Sequence, residues 1–167
     1  MFQILPGNKG FIFLDILIAI TIISIAFTVI LAIGATSLRL SSSIRNTTEA
    51  DSLIKEEIEA LRSFRDGTDW SVNGLGTVSK GSSNPYHVVL DTVSNPNTWN
   101  LVSGTETVGI FTRNIVFDSV SRDPATNDIE YSYNLAYNDP DTVKITVTVL
   151  WLNKSSEVVA YLTNWHK

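Results

Sequence analysis

The feature that most restricts the fold of this chain is an apolar run over residues 11–34, in which Asp15 is the only charged side chain. At a rise of about 1.5 Å per residue, a helix of this length extends roughly 36 Å, enough to cross a hydrocarbon core of about 30 Å. A buried helix of a soluble protein normally has a polar stripe, but Thr21, Ser24 and Thr28 are the only other polar side chains here. The run therefore predicts a membrane-spanning helix.

A cleaved secretory signal peptide is a second interpretation of the same run, because Ala32, Ile33 and Gly34 resemble a small-residue cleavage site. Against it, the apolar run is longer than the usual core of about 7 to 15 residues. It also contains an aspartate that a passive signal has no reason to carry. A mature chain beginning at or near Ala35 would identify this alternative.

Asp15 is the residue in the run that most needs an explanation. A carboxylate at the edge of the hydrocarbon costs about 2.5 to 3.5 kcal/mol, and acids within membranes usually mark a partner. Asp15 lies four residues after Phe11, so a cut between Gly10 and Phe11 would create an α-amino group in the same apolar layer. We expect Asp15 of one subunit to neutralise the amine of its neighbour. An Asp15 side chain that reaches the aqueous interface is the alternative.

Residues 9–15, KGFIFLD, followed by the apolar run, resemble the prepilin leader of type IV pilins and type II secretion pseudopilins. The resemblance implies cleavage after Gly10 by a membrane prepilin peptidase, usually with N-methylation of Phe11, and a role for Asp15 in subunit assembly. It also implies contact with other pilin or pseudopilin subunits, and assembly by a cytoplasmic ATPase and an inner-membrane platform protein. The N-terminus is then cytoplasmic and the C-terminal region extracytoplasmic, in the membrane first and in a filament afterwards.

Departures from the family pattern favour a minor subunit. The fifth mature residue is normally glutamate, and Asp15 is one methylene shorter. Many major pilins carry a proline in the span where this chain has Ala32. Gly34 is expected to supply a weaker break, because glycine costs a helix about 1 kcal/mol. Residues 57–66 together with Trp70 are similar to minor pilins of the PilV-like and pseudopilin I groups.

Beyond the span, apolar residues at three- and four-residue steps predict an amphipathic continuation of the helix to about Arg65. The expected stripe consists of Leu40, Ile44, Thr47, Ala50, Ile54, Ile58, Leu61 and Phe64. The charged residues between these positions, including Glu56 and Glu57, are expected on a solvated face. Asp66 and Gly67 then predict the end of the helix.

The remainder of the chain is predicted to be β-rich. Residues 67–84 are interpreted as a loop with few ordered contacts, and turns are expected at 122–124, 138–141 and 153–156. The predicted strands are 87–90, 99–102, 108–119, 142–152 and 157–162. The clearest is 142–152, in which Val143, Ile145, Val147, Val149 and Trp151 alternate with polar residues.

These elements predict an α+β, pilin-like fold, with a long N-terminal helix packed on a C-terminal antiparallel sheet. The predicted organisation has a leader over residues 1–10 and a transmembrane and filament-core helix over 11–34. An amphipathic continuation over 35–66 and an extracytoplasmic β-rich region over 67–167 follow.

The composition and motifs argue against several functions. The formal net charge of −5 argues against a nucleic-acid partner, and the absence of cysteine excludes disulfides and thiolate sites. His87 has no serine elbow motif to complete a triad, so it is interpreted as a strand residue and the chain as not an enzyme. No metal or cofactor is predicted, since turn chemistry explains the residues that could form a calcium site, namely Asp118, Asp123, Asp128, Asp139 and Asp141.

The sequence thus favours a structural minor pilin or pseudopilin of a type IV pilus, type II secretion or DNA-uptake filament. The alternative is a membrane-anchored extracytoplasmic binding domain with an uncleaved N-terminal span. Gly10, Phe11 and Asp15 distinguish the two, because a tether needs neither a cut site nor an acid in the membrane.

Overall fold

The computed structural model describes residues 9–93 and 96–165, with side chains of the first helix described from residue 13 onward. The chain begins with one long helix, α1 (Lys9–Gly67), which is followed by a six-stranded sheet. The strands are β1 (Tyr86–Asp91), β2 (Thr98–Ser103), β3 (Glu106–Val108), β4 (Phe111–Ser121), β5 (Asn138–Trp151) and β6 (Lys154–Thr163). A short 3₁₀ helix, Leu135–Tyr137, precedes β5. The predicted α+β class, a long apolar N-terminal helix before an antiparallel sheet, is confirmed.

The chain divides into two compact units. The first unit ends at Asn46 and the second begins at Thr47. In the first unit the apolar side chains described from Phe13 onward are exposed. The hydroxyls of Thr21, Ser24 and Thr28 donate to helix carbonyls, for example from Thr21 to Leu17 over 2.7 Å. These bonds satisfy the polar groups within the helix itself, as an apolar environment requires.

The expected weakening of the helix at Gly34 is not observed, because α1 continues through this residue to Gly67. A single glycine in a helix costs about 1 kcal/mol, which is small beside the many backbone hydrogen bonds on either side. The helix end itself lies close to the predicted end at Arg65.

In the second unit the sheet has the order β2-β1-β4-β5-β6, with β3 also paired to β4, and all pairs are antiparallel. The predicted strand over 108–119 is wrong in one respect, since it is divided into β3 and β4. Gly109 separates them with a φ of 61°, which glycine adopts without strain.

Strand β5 is longer than predicted, because residues 138–141 are in the strand and not in a turn. Val120 pairs with Asp139 and Ser119 with Val143, so β5 has extra residues at this point. Pro140 lies in this irregularity, where its missing N–H interrupts no regular ladder bond.

The turn between β5 and β6 lies at Leu152 and Asn153, not at residues 153–156. Both residues have positive φ, 44° and 62°, as in the tight turns that match the twist of antiparallel strands. Strand β6 therefore begins at Lys154, directly after this two-residue turn.

The core of the second unit lies between residues of α1 and one face of the sheet. The predicted alternation in β5 is confirmed, since Val143, Ile145, Val147, Val149 and Trp151 are all buried. From the predicted helix stripe, Ala50, Ile54 and Leu61 are buried in the same cluster, whereas Leu40 and Ile44 are exposed.

Residues 68–84 form a loop, as predicted, but the expectation that this loop has few ordered contacts is wrong. Leu75 is fully buried, and the Trp70 indole donates from Nε1 to the carbonyl oxygen of Pro140 over 3.0 Å. Gly76 lies so close to Trp70 that an added Cβ would be 2.6 Å from the Trp70 carbonyl oxygen. Glycine here permits close packing and does not indicate a loose segment.

Candidate functional site

The predicted processing and assembly site lies at the beginning of α1. Gly10 and Phe11 are both helical in backbone conformation, and the side chain of Phe11 lies outside the described side chains. Asp15 follows one turn later and is exposed. A cut after Gly10 would create a new amino group at the main-chain nitrogen of Phe11, about one helical turn before Asp15.

The helix that carries this site is long and apolar enough to cross a membrane. None of the residues in its most apolar stretch is buried inside the protein. The Asp15 carboxylate makes no ion pair or hydrogen bond with another side chain in the described part of the chain. A carboxylate in an apolar membrane environment is costly without a cation.

A second polar cluster, which sequence reasoning missed, lies inside the second unit. Arg113 on β4 is buried, with its side chain 6% exposed, and it contacts three carboxylates. Its Nη1 lies 2.9 Å from Glu56 Oε1, its Nε 2.8 Å from Glu57 Oε1 and its Nη2 2.6 Å from Glu106 Oε2. We call Arg113, Glu56, Glu57 and Glu106 the arginine cluster; it connects α1, β3 and β4.

Glu57 is the unusual member of the arginine cluster, because its side chain is completely buried. The backbone N–H of Val88 donates to its Oε2 over 3.3 Å, whereas Oε1 is close to Arg113 without hydrogen-bond geometry. Burial raises the pKa of Glu57 to about 7, since the loss of hydration outweighs the attraction of Arg113 and the Val88 hydrogen bond.

The pKa of Arg113 moves in the direction that keeps it charged. Burial on its own lowers this pKa, but the hydrogen bond to Glu56 and the charges of Glu57 and Glu106 raise it overall. The guanidinium is therefore a permanent cation that pairs with the exposed carboxylate of Glu56 on α1 and with the half-buried carboxylate of Glu106 on β3.

The prediction that Glu57 faces solvent is wrong, and the sequence contained a signal for its burial. Glu57 is three residues after Ile54 and four before Leu61, so it continues the buried spacing of the helix. Glu57 was predicted to lie on the solvated face because it is charged, although its position in the helix indicates burial. Arg113 likewise stands at a buried position between Phe111 and Ile115.

The aspartates considered for calcium are engaged in turns and ion pairs. Asp123 Oδ1 accepts from the backbone N–H groups of Ala125 and Thr126, and Asp139 lies 2.6 Å from Arg122 Nε. Partial burial opposes ionisation of Asp139, but hydrogen bonds, the largest from Thr142, lower its pKa. Within residues 9–93 and 96–165, no group of three or more His, Asp and Glu side chains that could hold a metal ion is found.

His87 lies in β1, as predicted, and its Nδ1 is 3.2 Å from the carbonyl oxygen of Gly104.

Comparisons with protein-family models, with curated protein sequences and with solved structures found no match to this chain. The fold and the site define an α+β protein with one N-terminal helix long and apolar enough to span a membrane.

Proposed function

We propose that the chain is a minor pilin or pseudopilin subunit of a type IV pilus, type II secretion or DNA-uptake filament. The observation that carries the proposal is an exposed Asp15 carboxylate at the start of an apolar helix, one turn after the Gly10–Phe11 junction. A helix that serves only as a tether gains nothing from an acid that costs about 2.5 to 3.5 kcal/mol within the membrane.

In this proposal a prepilin peptidase removes residues 1–10 at the cytoplasmic face of the membrane. The α-amino group of Phe11, which is then methylated, becomes the cation that Asp15 of a neighbouring subunit neutralises. The pairing lowers the cost of the carboxylate only when subunits are side by side, so it favours assembly over isolated chains. A platform protein and an assembly ATPase move the subunit from the membrane into the filament, and no cofactor takes part.

The second unit supports the proposal by holding its part of the helix firmly. Ala50, Ile54 and Leu61 of α1 are buried against the sheet, and the arginine cluster adds ion pairs between helix and strands. A filament subunit needs its surface domain attached to its helix, and the apolar contacts within this unit provide that attachment. The alternative, a membrane-anchored extracytoplasmic binding domain, differs in keeping residues 1–10 attached.

The pairing role is tested with Asp15→Ala, Asp15→Asn and Asp15→Glu in the native host. Processing is followed by gel mobility and assembly by the amount of the chain in the sheared filament fraction. All three variants are expected to be processed, since the cut lies upstream, whereas only Asp15→Glu is expected in filaments because it retains the negative charge. Incorporation of Asp15→Asn at the level of the parent chain would refute the pairing.

A further inference from the structure

A cavity of about 440 Å³ opens on the outer face of the sheet, within the second unit. Its floor is a row of cross-strand neighbours, since Asp118 pairs with Lys144 and Lys144 with Tyr161. Side chains alternate along a strand, so this row lies on the face opposite the buried Phe117 and Ile145. Its volume falls within the range of about 300 to 1,000 Å³ that small-molecule sites occupy.

One wall of this cavity comes from the segment after β4, which carries Glu130, Tyr131 and Tyr133. The segment is fixed to β4, because the N–H of Glu130 donates to the Ser121 carbonyl over 2.9 Å. The N–H of Asn134 also donates to the Ser121 hydroxyl over 2.9 Å. The wall therefore has a defined place beside the sheet.

Three tyrosines surround the cavity and expose their rings to solvent. Tyr131 is fully exposed, while Tyr133 and Tyr161 are about half exposed, at 48% and 46%. Exposed aromatic rings at a concave surface are typical of binding sites, because the rings bury apolar area when a ligand covers them.

The polar groups of the cavity balance in charge. Lys80 and Lys144 supply ammonium donors, whereas Asp118 and Glu130 supply carboxylate acceptors. Lys144 Nζ is 3.7 Å from Asp118 Oδ2, and both side chains remain more than a third exposed.

Oε2 of Glu130 is buried without a hydrogen-bond partner among the described residues. A buried acceptor of this kind calls for a donor, and Glu130 is one of the residues that line the cavity.

We infer that this cavity binds a neutral oligosaccharide, with the tyrosine rings against the apolar faces of the sugar and the charged groups bonded to its hydroxyls. A sugar matches both features, since it offers ring faces and many hydroxyl donors and acceptors without net charge. Single-stranded nucleic acid also stacks on aromatic rings, but it needs a positively charged groove. The cavity has no excess of positive charge, and the chain has a formal net charge of −5.

The inference is tested by calorimetry on the full chain in phosphatidylcholine nanodiscs. The probes are soluble oligosaccharides of β-linked glucose, β-linked N-acetylglucosamine and mannose, each at millimolar concentration. At least one is expected to bind, and Tyr131→Ala and Tyr161→Ala are each expected to raise its Kd roughly tenfold through the lost stacking. Tyr137→Ala is the matched control, since this exposed tyrosine does not line the cavity and its loss should leave Kd unchanged.

Three results would overturn the inference. These are no heat with any of the sugars, a Kd that neither tyrosine variant changes, or binding of oligothymidine in place of sugars. Near-UV circular dichroism shows whether each variant is folded. If Tyr161→Ala does not fold, the Kd of Tyr131→Ala alone tests the inference, because Tyr131 is fully exposed and its replacement should not affect folding. Failure here leaves the proposed filament function unaffected, since that function depends on processing at Gly10 and on Asp15.

Discussion

The Nε atom of Arg113 lies 2.8 Å from Oε1 of Glu57, deep in the second unit, and this contact joins α1 to β4. Glu56 and Glu106 contact the same guanidinium at 2.9 and 2.6 Å, so one cation serves three carboxylates. Only Glu57 is fully buried, and it depends most on Arg113 for compensation of its lost hydration. The attachment of the helix to the sheet is therefore sensitive both to Arg113 and to the charge of Glu57.

Replacing Arg113 with methionine is expected to destabilise the second unit by about 3 to 5 kcal/mol, because it leaves the buried Glu57 carboxylate without its cation. Thermal unfolding of the full chain in nanodiscs, followed by near-UV circular dichroism, measures the loss. Combining Arg113→Met with Glu57→Leu should recover much of it, since an apolar pair needs no compensation.

The control for this prediction is Lys144→Met, which breaks the exposed pair with Asp118. Exposed pairs contribute about 0 to 1 kcal/mol, so this variant should unfold close to the parent temperature. Equal effects of the Arg113 and Lys144 substitutions would contradict the importance of the arginine cluster.

Stability is expected to fall as the pH rises from about 4.5 to 7. The pKa of Glu57 is raised from 4.5 to about 7 in the folded protein, so protonated Glu57 favours folding. That contribution is complete below pH 4.5 and is lost as the pH rises through about 7. Glu57→Gln mimics the protonated form. Above about pH 7, the free energy of unfolding of this variant should exceed that of the parent chain by on the order of 3 kcal/mol.

Denaturant unfolding at a series of pH values checks this expectation. Glu59→Gln is the control, because the Glu59 side chain is 68% exposed and pairs only on the surface with Arg62. It should retain the pH profile of the parent chain, whereas the profile of Glu57→Gln should be flatter over the same range. The same slope for the parent and Glu57→Gln would show that Glu57 does not titrate there.

The close approach of Gly76 to Trp70 makes a further prediction about the segment after the helix. Gly76→Ala places a methyl group against the Trp70 backbone and ring, so it should destabilise by about 1 to 3 kcal/mol through overpacking. Gly67→Ala has open space for its Cβ and serves as the control, which should unfold at or above the parent temperature. Thermal scans of the two variants give the comparison, and a Gly76→Ala protein as stable as the parent would disagree with the packing.

The parts of the fold that follow from local pattern were predictable from the sequence. The alternation from Val143 to Trp151 gives both the strand and its buried face, and the uncharged run after Asp15 gives the helix. The arginine cluster was not predictable in this way, because Glu57 on α1 and Arg113 on β4 come together only when the helix packs on the folded sheet. Their charge also suggests exposure, although their spacing suggests burial.

Other differences arise where composition is a poor guide to packing. Glycines near Trp70 suggest a loose loop, yet Gly76 is required because the tryptophan backbone lies against it. Pro140 suggests a turn, yet an irregularity in β5 accommodates it within the strand. The roles of Gly10, Phe11 and Asp15 remain predictions, since they concern processing and contacts with other chains.

The central claim is tested most directly by mass spectrometry of the mature N-terminus of the protein isolated from its host. We predict a chain that begins at Phe11, after loss of residues 1–10, and that carries one additional methyl group on its α-amino nitrogen. A chain that retains Met1, or one that begins at or near Ala35, would contradict the proposal that this protein is a processed filament subunit.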